Sequence, residues 1–292
     1  MRIFENPVYL AIIALFGAMI FVGGVNARWF GSAKLVLLRR WIRAACFSLA
    51  VFVCLLHFLD DRPVWVLGAS SVLLFLLLES AFYWAGISLE NTDEDIEMFP
   101  KFEPTESAWS TLERHAKLRG RILAAGFCES GKFKLPVDDE LGVSVFATTF
   151  DSADGLSRMC VMFPFGGTSF AMASVKSRLA DGRVMLTESR FIPNGLDYPE
   201  NYDARNFPLD SNPLSVYARH LKRLAACGSS AVAVSEDPLA DLNGTIDAEL
   251  AANIKSGLIN LPSAWDEDGV YTDEGKYRIW ISTMKMSYIP FV

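Results

Sequence analysis

The sequence predicts an α-helical membrane region of three transmembrane helices, followed by an α+β soluble domain in which amphipathic helices pack an antiparallel β-meander. Long uncharged runs of Leu, Val, Ala and Phe fill the chain before about residue 90 and are missing after it. Between Leu141 and Glu188 the apolar residues recur at strand period, with turn residues between the runs. Beyond that stretch, apolar residues fall at helical spacing behind capping residues. The chain of 292 residues is 51% hydrophobic and 21% charged, an average over two different environments.

The first span covers about 7–27, where no side chain is charged. About 20 apolar residues at 1.5 Å rise cross the hydrocarbon of a bilayer. A cleaved signal peptide is the rival reading, because Val25, Asn26 and Ala27 satisfy the small-residue rule. The second span runs over about 44–59, and the third over 64–89, interrupted by Glu79. Asp60, Asp61, Arg62 and Pro63 join them as a tight hairpin. Residues Ala33 to Leu38 read as a short amphipathic helix lying along the interface.

Orientation follows from the short loops, since Lys and Arg stay on the cytoplasmic side. The first loop carries Arg28, Lys34, Arg39 and Arg40, with Arg43 at the next helix entrance, whereas the hairpin turn has one Arg beside two Asp. This puts the N-terminus outside and everything after Leu89 inside, in the cell (inner) membrane. Arg43 and Glu79 are about equally far from the turn near Asp61. An antiparallel hairpin therefore sets them side by side as a structural intramembrane pair, in preference to a proton or ion site.

Residues 90–105 form an acidic linker with Asp93, Glu94, Asp95 and Glu97, and the cytoplasmic α+β domain occupies 106–292. Thr105 caps a helix expected over 106–125, whose face of Arg114, Lys117 and Arg121 can meet anionic lipid or simply water. Strands are expected at 142–150, 157–163, 169–175 and 183–187. Asn212 before Pro213 and Asp237 before Pro238 start two amphipathic helices that end at Gly228 and Gly257. Thr272 opens a last helix with Tyr277, Trp280 and Met284 on one side, packed on the domain or against the membrane.

Chemistry is sparsely written. The histidines are His57, His115 and His220, with His115 and His220 expected in exposed or capping roles, and no GxSxG, HExxH or SxxK pattern occurs. Asp138, Asp139 and Glu140 are adjacent, so their side chains diverge and read as a solvated turn, not a cation site. Gly166 and Gly167 lead into a strand, unlike a phosphate loop, and Asp151 to Gly155 reads as a hairpin turn. The net charge of −7 and the acidic helix with Asp241, Asp247 and Glu249 argue against nucleic acid. Five cysteines without a CxxC pair fit a reducing compartment.

No catalytic residue, metal or cofactor is expected on these grounds. The leading expectation is a noncatalytic membrane-anchored interaction or scaffold subunit, with membrane lipids and a protein partner or a like chain as its partners. Gly17, Ala18, Gly23 and Gly24 would let the first span pack closely on another helix. The alternatives are an enzyme at the inner membrane surface, using carboxylates such as Asp138 or Asp139, and a membrane sensor that repositions its domain on binding lipid or ligand.

Overall fold

A computed structural model describes residues 7–59, 61–91, 99–106, 113–138, 143–163, 171–191, 195–234 and 236–289. Three helices come first: α1 (Pro7–Val25), α2 (Ala33–Phe58) and α3 (Val64–Glu90). Each is long and apolar enough to cross a membrane. No residue of α1 is buried within the molecule, and Phe16, Ile20 and Phe21 are all more than half exposed. Apolar surface on that scale needs hydrocarbon around it.

A π-type turn over Asn26–Phe30 ends the first span, followed by Gly31 in the left-handed region at φ 57°. Asn26 holds the reversal, its Oδ1 accepting the Ser32 N–H at 2.7 Å. The next helix starts at once, so Ala33 to Leu38 are the first turns of α2 and not a separate interfacial helix. Nothing at residues 33–43 breaks the helix, which carries Arg39, Arg40 and Arg43 before its uncharged run begins.

The end of the acidic connector is part of the domain. Residues 92–98 lie outside the described residues, but Phe102 is buried, and its backbone N–H and C=O are bracketed by the Asn243 amide at 2.8 and 3.1 Å. The chain then forms β1 (Glu103–Pro104) on β2 (Cys128–Asp138). Thr105 donates its N–H to Lys132 O at 3.0 Å, continuing that pairing where a helix cap was expected. The following helix, α4, is described over Glu113–Ala124, with residues 107–112 outside the described set.

The sheet continues with β3 (Val143–Asp151), β4 (Arg158–Phe163), β5 (Met172–Leu179), β6 (Val184–Glu188), β7 (Tyr202–Asn206) and β8 (Ala231–Val232). Strands β1 to β7 lie side by side in chain order, and β8 pairs with the end of β5. Pairing is antiparallel as far as β6, but β7 runs parallel to β6. The sheet is therefore mixed, which corrects the expected antiparallel meander. The sequence of β7, Tyr-Asp-Ala-Arg-Asn, alternates through only Tyr202 and Ala204, a weak mark that suits a strand at the sheet edge. The thirteen residues between β6 and β7 are enough to bring the chain back in the same direction.

Period two sorts each strand between two layers. Helices α4 and α5 (Pro213–Ala226) cover one face, where Phe150, Met159, Val161, Phe163 and Val175 pack with Ile122 and Val216. Helix α6 (Pro238–Lys255) covers the other with Leu239, Leu242 and Ile246 over Phe133, Ala147 and Cys160. Asn212 and Asp237 cap α5 and α6, as their places before proline require.

After the short α7 (Trp265–Asp268) comes α8 (Asp273–Tyr288), which leaves the sheet and packs on α3 and α2. Gly275 makes its start possible. A Cβ there would lie 2.1 Å from Leu258 O, so only glycine lets the first turn of α8 sit on that backbone.

Candidate functional site

Most of the polar contacts that join the membrane helices to the domain gather around α8. Arg43 on α2 is ion-paired with Glu79 on α3, and its Nη2 also faces the Tyr288 hydroxyl at 3.4 Å. One turn away, Arg40 donates to Met286 O and Ser287 Oγ, both at 3.4 Å, and its guanidinium lies 5.2 Å from the Phe191 ring centre. Ser287 Oγ in turn donates to the Tyr83 hydroxyl at 3.3 Å. The Tyr288 ring meets Trp41 and Phe75 edge-on, at 5.5 and 6.2 Å. Farther up α8, Trp280 Nε1 donates to Ser80 O at 3.2 Å and its ring abuts Trp84.

Two smaller contacts add to this seat. Asn91, buried at the end of α3, brackets the backbone of Tyr271 with its amide and accepts the Val270 N–H on its own carbonyl at 3.3 Å. Arg114 Nη1 on α4 donates to Ala27 O at 2.5 Å, at the end of the first span. Of the basic face on α4, Arg114 therefore touches the membrane region. Lys117 is paired with Glu113 at 2.7 Å, and Arg121 is exposed.

Beside this junction lies a cleft of about 870 Å³. Its walls are the first turn of α2, the segment after β7, the start of α5 and one side of α8. Among the described residues, Lys34, Arg219, Arg278 and Lys285 line it against a single carboxylate, Asp210. Arg219 is paired with Asp210 at 3.1 Å, and Arg278 with Asp197 and Glu274 at 3.0 Å.

A second concentration of charge is enclosed between the sheet and α6. Arg158 binds Asp151 at 2.7 Å and Asp241 at 3.4 Å, while Lys176 reaches Asp241 at 2.6 Å and Thr245 at 2.8 Å. Beside them Glu188 pairs with Arg190 at 3.3 Å and accepts the Tyr198 hydroxyl. Burial pushes the Glu249 carboxyl above its usual range, and its Oε1 has no hydrogen-bond partner among the described residues. The space they surround is about 110 Å³, room for a few water molecules.

Groups with catalytic potential are buried in neutral forms. The Cys160 thiol is pushed up to about 12 by burial, so no thiolate forms there near neutral pH. His220 is fully buried, with Ser177 Oγ and Thr187 Oγ1 each 2.9 Å from its two ring nitrogens. His115 is 3% exposed and stacks on Phe163 at 4.5 Å. Both expected exposed or capping histidines are thus core residues, with burial lowering each pKa to about 4. Their helices carry them on the inward face, a fact that neighbouring Arg and Lys residues disguised.

The acidic residues fall into structural roles or outside view. Asp139, Glu140 and the 164–170 segment with Gly166 and Gly167 lie outside the described residues, as does the side chain of Asp138. Asp154 closes the hairpin at 151–155, accepting from Ser152 Oγ at 2.6 Å and Leu156 N at 3.0 Å. Among the described residues no three His, Cys, Asp or Glu side chains come together to hold a metal. Comparison with protein-family models, with curated proteins and with solved structures found no match.

Proposed function

We propose that this chain is a noncatalytic membrane-anchored scaffold, which presents its α+β domain in a fixed orientation on the cytoplasmic face to a protein partner. The observation that carries the reading is the seating of α8 on α2 and α3, by Arg40, Arg43, Tyr83, Tyr288 and Trp280. A domain that only needed tethering would require a linker and no such seat. Several polar side chains are committed here to backbone and hydroxyl partners across the junction, which fixes direction as well as distance.

The enclosed charges support the same reading. Arg158, Lys176 and Asp241 satisfy one another beneath α6, and a space of about 110 Å³ admits no sizeable substrate. His115, His220 and Cys160 are buried in neutral forms, away from any nucleophile–base arrangement open to solvent. The same seat favours a second reading, a sensor: displacement of α2 against α3 would carry α8, and with it the domain.

Topology is tested without altering the chain, because Cys128 is exposed in the domain. A membrane-impermeant maleimide is expected to label Cys128 only after cells are permeabilised. Labelling of Cys128 itself in intact cells, located by peptide mapping and so separated from Cys54, would overturn the orientation. For the scaffold role, the full chain is purified in mild detergent beside Trp280→Ala. The expected result is a stoichiometric protein partner on the wild type, lost from the variant although its domain melts normally. A homogeneous monomer that turns over a lipid or peptide would overturn it.

A further inference from the structure

We infer that the cleft between α2, α5 and α8 binds an anionic glycerophospholipid drawn from the leaflet beside it. Polarity within the cleft is graded along the direction a lipid would take. At one end Met286 and Ile289 flank Tyr288 in the chain, and Tyr288 contacts Arg43 at the start of the uncharged part of α2. At the other, Asn206, Asp210, Arg219 and Arg278 belong to the domain.

Between these ends stand Lys34 and Lys285. Neither makes an ion pair among the described residues, whereas Arg219 and Arg278 are already neutralised by carboxylates. Lys285 precedes Met286, whose carbonyl accepts from Arg40. Lys34 lies about 13 Å beyond Arg43 along α2 at helical rise. Both ammonium groups therefore belong to the headgroup layer, where a phosphate sits.

Charge complementarity selects the occupant. Among the described residues the lining holds four cationic side chains and one carboxylate, in a chain whose net charge is −7. A zwitterionic lipid would bring its own cation beside the two lysines that its phosphate meets, and a soluble phosphate would leave the apolar end of the cleft in water. A diacyl lipid with a net negative headgroup satisfies both ends. The volume of about 870 Å³ takes a headgroup, a glycerol and the first part of an acyl chain.

The test uses the full chain, purified in detergent and titrated with phosphatidylglycerol or phosphatidylcholine under native mass spectrometry. Binding of one phosphatidylglycerol is expected, with weaker binding of phosphatidylcholine. The double substitution Lys34→Gln with Lys285→Gln should weaken the phosphatidylglycerol complex about tenfold or more. Lys34→Arg with Lys285→Arg should keep it, as should Lys117→Gln with Arg121→Gln, which removes two charges on α4. Thermal melting of each variant reports whether the fold is kept.

Equal affinity in the Gln double variant would overturn the inference, as would equal binding of phosphatidylcholine. Displacement of the lipid by millimolar inorganic phosphate would assign the site to a soluble anion. Crosslinking of Lys285 to a second copy of the chain would assign it to a dimer contact, and either result sinks the lipid reading. Partner recovery is a separate measurement, so loss of the lipid and loss of the scaffold role are distinguishable.

Discussion

Along β4 the residues Met159, Val161 and Phe163 point into the layer under α4 and α5, while Arg158, Cys160 and Met162 point under α6. The same alternation continues through β5, where Val175 and Ser177 oppose Ser174 and Lys176, and through β6, where Met185 and Thr187 oppose Leu186 and Glu188. One layer is apolar with a neutral polar island at His220, and the other sets the charges of Arg158, Lys176, Asp241, Glu188 and Arg190 beside its apolar contacts with α6. An apolar layer gains stability from every side chain it removes from water. A charged one gains little net stability from its pairs, yet loses heavily when one partner is removed. The charged layer therefore fixes the position of α6 more than it strengthens the fold.

The largest effect should come from the apolar side. Phe150→Ala, at a fully buried position, is expected to cost about 3–5 kcal/mol. Chemical denaturation in detergent would read this, and a cost below 1 kcal/mol would mean that the layer is not tightly packed. On the charged side Asp241→Ala leaves Lys176 without its carboxylate while Arg158 keeps Asp151, so about 3 kcal/mol is expected. A neutral outcome there would break the contrast between the layers.

Acid should separate them further. Burial, with Arg223 nearby, lowers the His220 pKa to about 4 from an ordinary 6.5. Between those values the unfolded chain binds a proton that the folded one refuses. Stability present above pH 6.5 is therefore lost as the pH falls toward 4, by up to about 3 kcal/mol. His115 acts in the same direction, so His220→Gln should flatten the melting profile over this window without levelling it. An unchanged slope in the variant would show that His220 is not buried neutral.

Glu249 carries the opposite sign and the smallest effect. Burial raises its carboxyl above the ordinary 4.5, so the folded state holds the proton more tightly. The resulting stability is complete below pH 4.5 and is lost as the pH rises through the folded value. Glu249→Gln should thus melt a few degrees above the wild type at pH 7, with the gap closing toward pH 4.5. A gap that widens in acid would reverse the assignment.

The coarse architecture was legible because hydrocarbon and caps leave local marks. Uncharged runs in α1, α2 and α3, and Asn212 and Asp237 before proline, are signals within a single segment. Among the strands not expected, β2 did carry an alternation in Phe133, Leu135 and Val137, weakened by Pro136 and by bulges near Gly131 and Asp138. By contrast β7 is recognised only through its parallel partner β6.

The site was far less legible. Lys34, Arg219 and Lys285 belong to helices distant in sequence, and nothing local distinguishes them from solvated lysines and arginines. Trp280 was visible with Tyr277 and Met284 as part of an amphipathic tail, but Tyr288 was not singled out, and whether the tail faced the sheet or the bilayer depended on how the domain turned back toward α3. His220 was disguised for a related reason: its partners Ser177 and Thr187 come from strands, not from its own helix.

The seat of α8 also constrains how the molecule is made. Tyr288 follows Arg43 by 245 residues, which at about 5–20 residues per second is a delay on the order of ten to fifty seconds of translation. Throughout that interval the hairpin of α2 and α3 must already be inserted with the surface destined for Tyr288 and Trp280 uncovered. Glu79 and Arg43, only 36 residues apart, can neutralise each other in the meantime. Insertion thus precedes docking in time, and a nascent hairpin with a protected charge waits in the bilayer for the helix that completes it.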